Sequence, residues 1–359
     1  MPPGRLPMRR NLDRESRGIG RWLLPAAVLV VGGAAAGLYF AGDRVSDQIH
    51  YWLASSSGGD LAAVPQPRTS AAQNTAPVDL TEMPALVTTG GATPDGWPEL
   101  SPADLLAQGA ALGDRALKDT AFDQPPARRF ARPFTAPEGK PRLGLLLTGL
   151  GPDRAVTAAA IAGLPAEVSL SFSPEAKDLA AWIEAARAFG HEALIDLPLQ
   201  SKDRRDVGAL GILIGLNADE TARRIAAIAA SAPAVFGLAG RGGDALLLDD
   251  AAAAILAGEI ARLGLAFIDT SGEPMSQTLP AAKEAGLAAA KSTVTLDAQP
   301  SRTAVTARLA AAVEVAQEQG SALAVARASP LTITVLADWL RGLDDQAPIP
   351  APASALLQR

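Results

Sequence analysis

The chain contains no cysteine, which removes disulfides, thiolate metal ligands and cysteine nucleophiles together. Histidine is nearly as scarce, His50 and His191 being the only two. A metal site built on several histidines of one domain is therefore hard to assemble, and so is a Ser-His-Asp arrangement. A basic surplus is missing too. Lys and Arg number 32 against 38 Asp and Glu over 359 residues, a formal net charge of -6, and that balance argues against a sequence-independent hold on nucleic-acid phosphates. No apolar run is followed by a glycine-rich phosphate fingerprint, so nucleotide binding loses its main support.

What is present begins with an anchor. Trp22 to Ala41 reads WLLPAAVLVVGGAAAGLYFA without a charge, long enough to span a hydrocarbon core. Arg5, Arg9, Arg10, Arg14, Arg17 and Arg21 precede it, and the far side opens with Asp43, Arg44 and Asp47. The positive-inside rule then predicts a single pass with residues 1–21 in the cytoplasm and everything after Ala41 outside it, periplasmic in a two-membrane bacterium. A cleaved signal peptide is the competing reading, with Ala34–Ala36 as a small-residue site. His50, beside Tyr51 and Trp52, fits the membrane interface.

Residues 42–141 are rich in Pro, Ser, Thr and Ala and read as a tether. They are interrupted near 101–119 by a short helix, for which Ser101 supplies a cap and Pro102 a first position. Residues 142–342 read as the folded domain, and 343–359, with the proline-rich Ala347 to Pro352, as a flexible tail.

Within the domain, short apolar runs alternate with longer amphipathic stretches. Seven strands are predicted, at Leu143–Leu147, Glu167–Phe172, Ala193–Leu197, Ala234–Leu238, Leu265–Asp269, Thr293–Leu296 and Ala322–Ala326. Helices follow near Arg154–Ala162, Glu175–Phe189, Ala218–Ser231, Ala245–Leu263, Gln277–Ala285, Ser301–Gln319 and Leu331–Leu340. Gly190, Gly264, Gly286 and Gly320 punctuate the helix ends. The repeat demands parallel strands with right-handed crossovers, and a barrel of seven units is favoured over an open doubly wound sheet.

In either architecture the site lies at the carboxyl ends of the strands. Those positions hold Thr148, Gly149, Ser173, Asp196, Gly240, Arg241, Asp269, Asp297 and Arg327. Asp196, Asp269 and Asp297 with Arg241 and Arg327 can bind a hydroxyl-rich or anionic ligand, and an Asp pair can serve acid-base catalysis. The competing reading is that the carboxylates cap helices or pair with the arginines. His191 falls at the amino end of a strand, where a structural role is expected.

The ordered series LLLTGLG (Leu145–Gly151), GHE (Gly190–Glu192), LIDLPLQ (Leu194–Gln200), GLAGRGG (Gly237–Gly243), GLAFIDT (Gly264–Thr270) and VTLD (Val294–Asp297) resembles the divergent polysaccharide deacetylases over about 142–342. The resemblance implies an α/β fold, a distorted seven-unit (β/α) barrel, and metal-dependent removal of acyl groups from a cell-envelope glycan. Carried over residue by residue, the family's Asp pair after the first strand falls at Thr148 and Gly149, and its metal or proton-transfer histidines at Asp196, Arg241 and Arg327. Gly190, His191, Glu192, Pro198, Gly208, Leu210, Asp269 and Asp297 keep the pattern. An arginine brings permanent positive charge where a cation would sit, so the divalent metal is expected to be lost and no cofactor is expected. Asp196, Asp269 and Asp297 are the remaining candidate oxygen ligands for a hard cation.

The expectation is a membrane-anchored, extracytoplasmic deacetylase-like pseudoenzyme that binds an envelope glycan or an envelope protein, and no nucleic acid. Two alternatives stand beside it. One is an active carbohydrate-processing hydrolase using Asp196, Asp269 and Asp297 in a rearranged site. The other is an architectural partner in envelope assembly, which calls for an exposed apolar patch away from the strand ends.

Overall fold

The runs Leu143–Leu147 and Ala322–Ala326 carry no polar side chain, so a strand formed there must be covered on both faces. The computed structural model describes residue 97 and residues 100–112, 116–119, 122–203 and 207–358. Among them are nine strands: β1 (Arg142–Leu150), β2 (Ser169–Phe172), β3 (Ala193–Leu199), β4 (Gly237–Gly242), β5 (Ala266–Asp269), β6 (Ala289–Lys291), β7 (Val294–Thr295), β8 (Ser321–Arg327) and β9 (Ile349–Ala351). The hydrogen-bonded order is β6-β5-β4-β3-β2-β1-β8-β7, with β9 added beside β1 and every named pair parallel.

That order is a barrel sequence opened at one seam. A doubly wound sheet would reverse direction and carry helices on both faces, whereas here β8 returns to β1 and only β6 and β7 lack a ladder between them. Only Ser292 and Thr293 separate those two strands, so the backbone itself bridges the gap. The sheet therefore curls into a distorted barrel without complete hydrogen-bonded closure.

The helices are α1 (Pro102–Ala111), α2 (Pro126–Arg129), α3 (Arg154–Gly163), α4 (Leu179–Ala188), α5 (Ala218–Ala230), α6 (Asp250–Arg262), α7 (Thr278–Ala285), α8 (Arg302–Gln319) and α9 (Pro330–Arg341). Their starts are written in the sequence: the side chains of Asp153, Asn217, Asp249, Ser301 and Ser329 each accept the amide three residues on, satisfying donors that the first turn leaves over. The four punctuating glycines all take positive φ, and at Gly320 this turns the chain from α8 directly into β8.

Two buried clusters separate the faces of the sheet. The larger lies between strands and helices and contains Leu145, Leu147, Ile195, Leu197, Phe267, Ala324 and Ala326. The smaller contains Leu146, Leu194, Phe236, Ala239, Ala266, Ile268, Leu323 and Val325, which are the neighbours pointing the other way, into the barrel. Phe130 and Ala353 belong to this inner cluster and stopper its amino end.

Several expectations are corrected. The strand expected at Ala234–Leu238 runs from Gly237 to Gly242, because its glycines accept close neighbours rather than supplying apolar bulk. A Cβ on Gly237 would lie 2.6 Å from the Ala266 carbonyl oxygen, and one on Gly240 3.0 Å from the Phe267 ring. Helix α4 starts at Leu179 rather than Glu175, with Asp178 at φ 58 before it, which leaves 174–178 as a loop on the rim.

The folded unit also begins before residue 142. Leu105 on α1 is fully buried, and Gly109 brings α1 against Ala188 of α4. Arg187 donates to the Phe130 and Leu117 carbonyls and pairs with Asp119 at 2.8 Å. Residues expected to form a flexible tail are likewise part of the fold: β9 pairs with Arg142 to Gly144, and Gln358 bridges Ala289. Proline at 350 and 352 is compatible with this short strand, since it needs few amide donors. The apolar run 22–41 and most of the tether lie outside the described residues; among the described ones no helix is long and apolar enough to cross a membrane.

Candidate functional site

Alternation along the strands decides which side chains enter the barrel. Because Leu146, Leu194, Ala239 and Val325 point inward, so do Thr148, Asp196, Arg241 and Arg327 two residues further along their strands. The inward face of β2 is SxSxS, Ser169, Ser171 and Ser173, since Leu170 and Phe172 join the outer core. The interior is thus mostly apolar towards the amino end and polar at the carboxyl end.

Asp196 sits at the floor of this polar well, fully buried. Its Oδ1 accepts the Ser171 hydroxyl at 2.5 Å and its Oδ2 the Gly149 amide at 3.0 Å. Burial pushes its carboxyl above the ordinary carboxylate range, against the opposing pull of the Ser171 hydroxyl, the Arg241 charge, the Gly149 amide and the Arg327 charge. Both guanidinium groups therefore act on it electrostatically.

Arg241, one-third exposed, reaches Glu175 at 3.4 Å, and Glu175 takes the Ser173 hydroxyl at 3.0 Å. Arg327 runs along Gly149, where a Cβ would lie 3.6 Å from its Cγ and Nε. Its backbone amide donates to Asp297 at 2.9 Å, so Asp297 joins the rim through the main chain.

Asp269 is elsewhere. Phe267 and Asp269 share the helix-facing side of β5. Oδ2 of Asp269 accepts the hydroxyls of Ser276 at 2.6 Å and Thr278 at 2.9 Å, and Oδ1 the Ser271 amide. Its carboxylate orders the turn before α7 through those hydroxyls and the Ser271 amide, and Gln277 at the start of that helix makes no side-chain cap. Asp196, Asp269 and Asp297 are therefore not brought to one point, and among the described residues no group of three His, Asp or Glu side chains is placed to hold a metal ion.

Sequence reasoning missed Ser171 and Glu175, the partners of Asp196 and Arg241. The alternating serines of β2 were the available signal for the first; nothing local marked the second.

The amino end carries different groups. His191 is fully buried with Nδ1 2.8 Å from the Val168 carbonyl oxygen and Nε2 3.0 Å from that of Ile161; burial pushes its imidazole below the ordinary value. Glu192, also fully buried, accepts the Arg132 amide at 2.7 Å, the Ser354 amide at 3.1 Å, the Ser169 hydroxyl at 3.2 Å and the Ser354 hydroxyl. The GHE segment thus fastens both ends of the domain to the barrel.

This architecture has known counterparts. Residues 145–357 match the model of the divergent polysaccharide deacetylases. The chain belongs to that family. An uncharacterised protein of Haemophilus influenzae is 27% identical over 187 residues, 52% of this chain and 67% of that protein. Escherichia coli K12 YibQ, also described as uncharacterised, is 22% identical over 197 residues, 55% of this chain and 61% of its own length. Less than two thirds of YibQ is therefore spanned. The crystal structure of an uncharacterised Agrobacterium tumefaciens C58 protein superposes with a TM-score of 0.63 and 25% identity, covering 66% of this chain and 97% of that one.

For this deacetylase-family domain, the divalent metal that the resemblance implies does not fit the residues present. Asp196 is the one carboxylate at the family's metal or proton-transfer positions, Thr148 and Gly149 replace the family's Asp pair, and permanent cations at Arg241 and Arg327 stand where proton-transfer or ligand groups would be needed.

Proposed function

We propose that this protein is a membrane-anchored, extracytoplasmic member of the divergent polysaccharide deacetylases that binds a cell-envelope glycan without hydrolysing it. The observation that carries this reading is the environment of Asp196: a buried carboxyl held by Ser171 and Gly149 beneath Arg241 and Arg327. Hydrolysis of an amide needs an activated water and a base able to cycle its proton. Asp196 has its oxygens engaged, and the arginines above it supply directed charge but exchange no proton. Hydroxyl and guanidinium donors gathered at this polar end of the strands suit retention of a polyhydroxylated ligand. The apolar run before residue 42, with its arginine flank, supports the anchor.

The rearranged-hydrolase alternative draws no support from the separate placements of Asp196 and Asp269. The architectural alternative calls for apolar surface away from the strand ends, where Phe122 is exposed before β1; among the described residues the other exposed large apolar side chains, Leu210, Leu213, Ile214, Leu248 and Met275, lie in segments that follow strands.

The test uses the full chain in detergent, loaded with zinc and then washed, with bound metal measured by elemental analysis and acetate release measured on N-acetylated envelope glycan. No stoichiometric metal and no acetate, together with retention of the glycan, is the expected result. Stoichiometric metal with acetate release would overturn the reading.

A further inference from the structure

The charge pattern of the polar well narrows the ligand class. Arg327 is exposed, and among the described residues no carboxylate is in ion-pair contact with its guanidinium; Asp297 bonds its backbone amide instead. Among the described residues Arg241 has one carboxylate partner, Glu175, whose side chain is 60% exposed and whose contact is long at 3.4 Å. The third nearby acid, Asp196, is buried, turned to Ser171 and Gly149, and biased towards its neutral form. Two permanent cations therefore overlook the well with their possible counter-charges turned away, neutralised or open to exchange.

A second observation concerns what the rim does not offer. The segments following the strands, residues 149–153, 173–178, 200–217, 242–249, 270–277, 297–301 and 327–329, contain no Phe, Tyr or Trp. A neutral saccharide held by its ring faces needs an aromatic platform with an apolar body and polar edge, and none is supplied. Hydrogen bonding and charge remain, and a guanidinium fork matches a planar carboxylate with two parallel donors.

We infer that the ligand of this well is an acidic saccharide, a glycan bearing ring or ether carboxylates, with Arg327 and Arg241 as its carboxylate contacts. The inference rests on the glycan-binding reading above and specifies its substrate class. Arg241 exchanges the exposed Glu175 for the ligand, and Arg327 gains a counter-charge.

The experiment is calorimetric titration of the full chain in detergent with tetragalacturonate, with its methyl ester, which removes the charges and adds a small methyl to each carboxyl, and with inorganic sulfate. Tetragalacturonate is expected to bind, more weakly as salt rises, and the ester to bind more weakly by about tenfold to a hundredfold, the loss expected for a charge-assisted hydrogen bond. Arg327→Gln is expected to weaken the acid several-fold towards the affinity of the ester, Arg241 still contributing, with an unchanged melting temperature, while Arg302→Gln, a surface control paired with Asp338, leaves binding as it was. Equal affinity for acid and ester would overturn the charge assignment and leave the glycan reading standing. Sulfate binding as tightly as tetragalacturonate would show an anion site that ignores sugar, which overturns both; no binding of any probe, with N-acetylated envelope glycan still retained, would overturn the acidic-saccharide assignment alone.

Discussion

Replacing Glu192 by alanine tests how the two ends of the domain are held. The carboxylate accepts from four donors, of which the Arg132 and Ser354 amides belong to segments otherwise on the surface of the barrel's amino end. The hydroxyls of Ser169 and Ser354 can rotate to other acceptors; the two amides cannot. Leaving a buried donor unsatisfied costs about 1–3 kcal/mol, so Glu192→Ala should lose about 2–6 kcal/mol, less whatever is recovered by no longer burying a carboxylate. At about 2–4 °C per kcal/mol for a domain of this size, the melting temperature should fall by about 5–20 °C. Thermal unfolding followed by circular dichroism measures this, and limited proteolysis should show new cleavage within 122–134 and 352–358.

The pH dependence has a definite sign. Burial holds the Glu192 carboxyl above its ordinary value despite its four donors. Its stabilising contribution is therefore complete below the unfolded value and is lost as pH rises through the folded one. The gap between wild type and Glu192→Ala should be widest in acid and narrow towards neutral pH. A melting temperature within about 2 °C of wild type at every pH, with unchanged proteolysis, would refute the reasoning.

Asp196→Asn keeps the shape of the buried carboxyl and removes its titration. Because burial raises the Asp196 value, wild type loses stability as pH rises through the folded value; the variant should gain on it with rising pH in chemical denaturation, and a parallel pair of curves would count against the burial argument. Gly237→Ala would drive a Cβ to 2.6 Å from the Ala266 carbonyl oxygen. Backbone on both sides cannot yield cheaply, so a loss of about 1–3 kcal/mol or more is expected; a melting temperature equal to wild type would show that β4 and β5 can separate freely.

Much of the fold could be read in advance because its signals are local. Helix caps such as Asp153 and Asn217 and the glycine before β8 act within a few residues of themselves, and the apolar runs of β1, β3 and β8 need burial on any architecture. The alternation that sends Asp196 and Arg327 to the same side as Leu194 and Val325 was equally implicit in the chain.

Tertiary structure alone decided which side that was. Leu145 and Leu146 are both buried, so hydropathy gives no sign of which one faces the helices. For the same reason Asp196 and Asp269, alike as carboxylates near strand ends, went to opposite faces of the sheet. Strands β6 and β9 were invisible because three residues carry almost no period and gain their order from pairing with distant chain. The sequence by itself determined a repeating parallel α/β domain with arginines at two family site positions. Only the packed barrel determined that Asp269 leaves the well and that Ser171, Gly149 and Asp196 close its floor, because those relations depend on contacts between strands that periodicity cannot register.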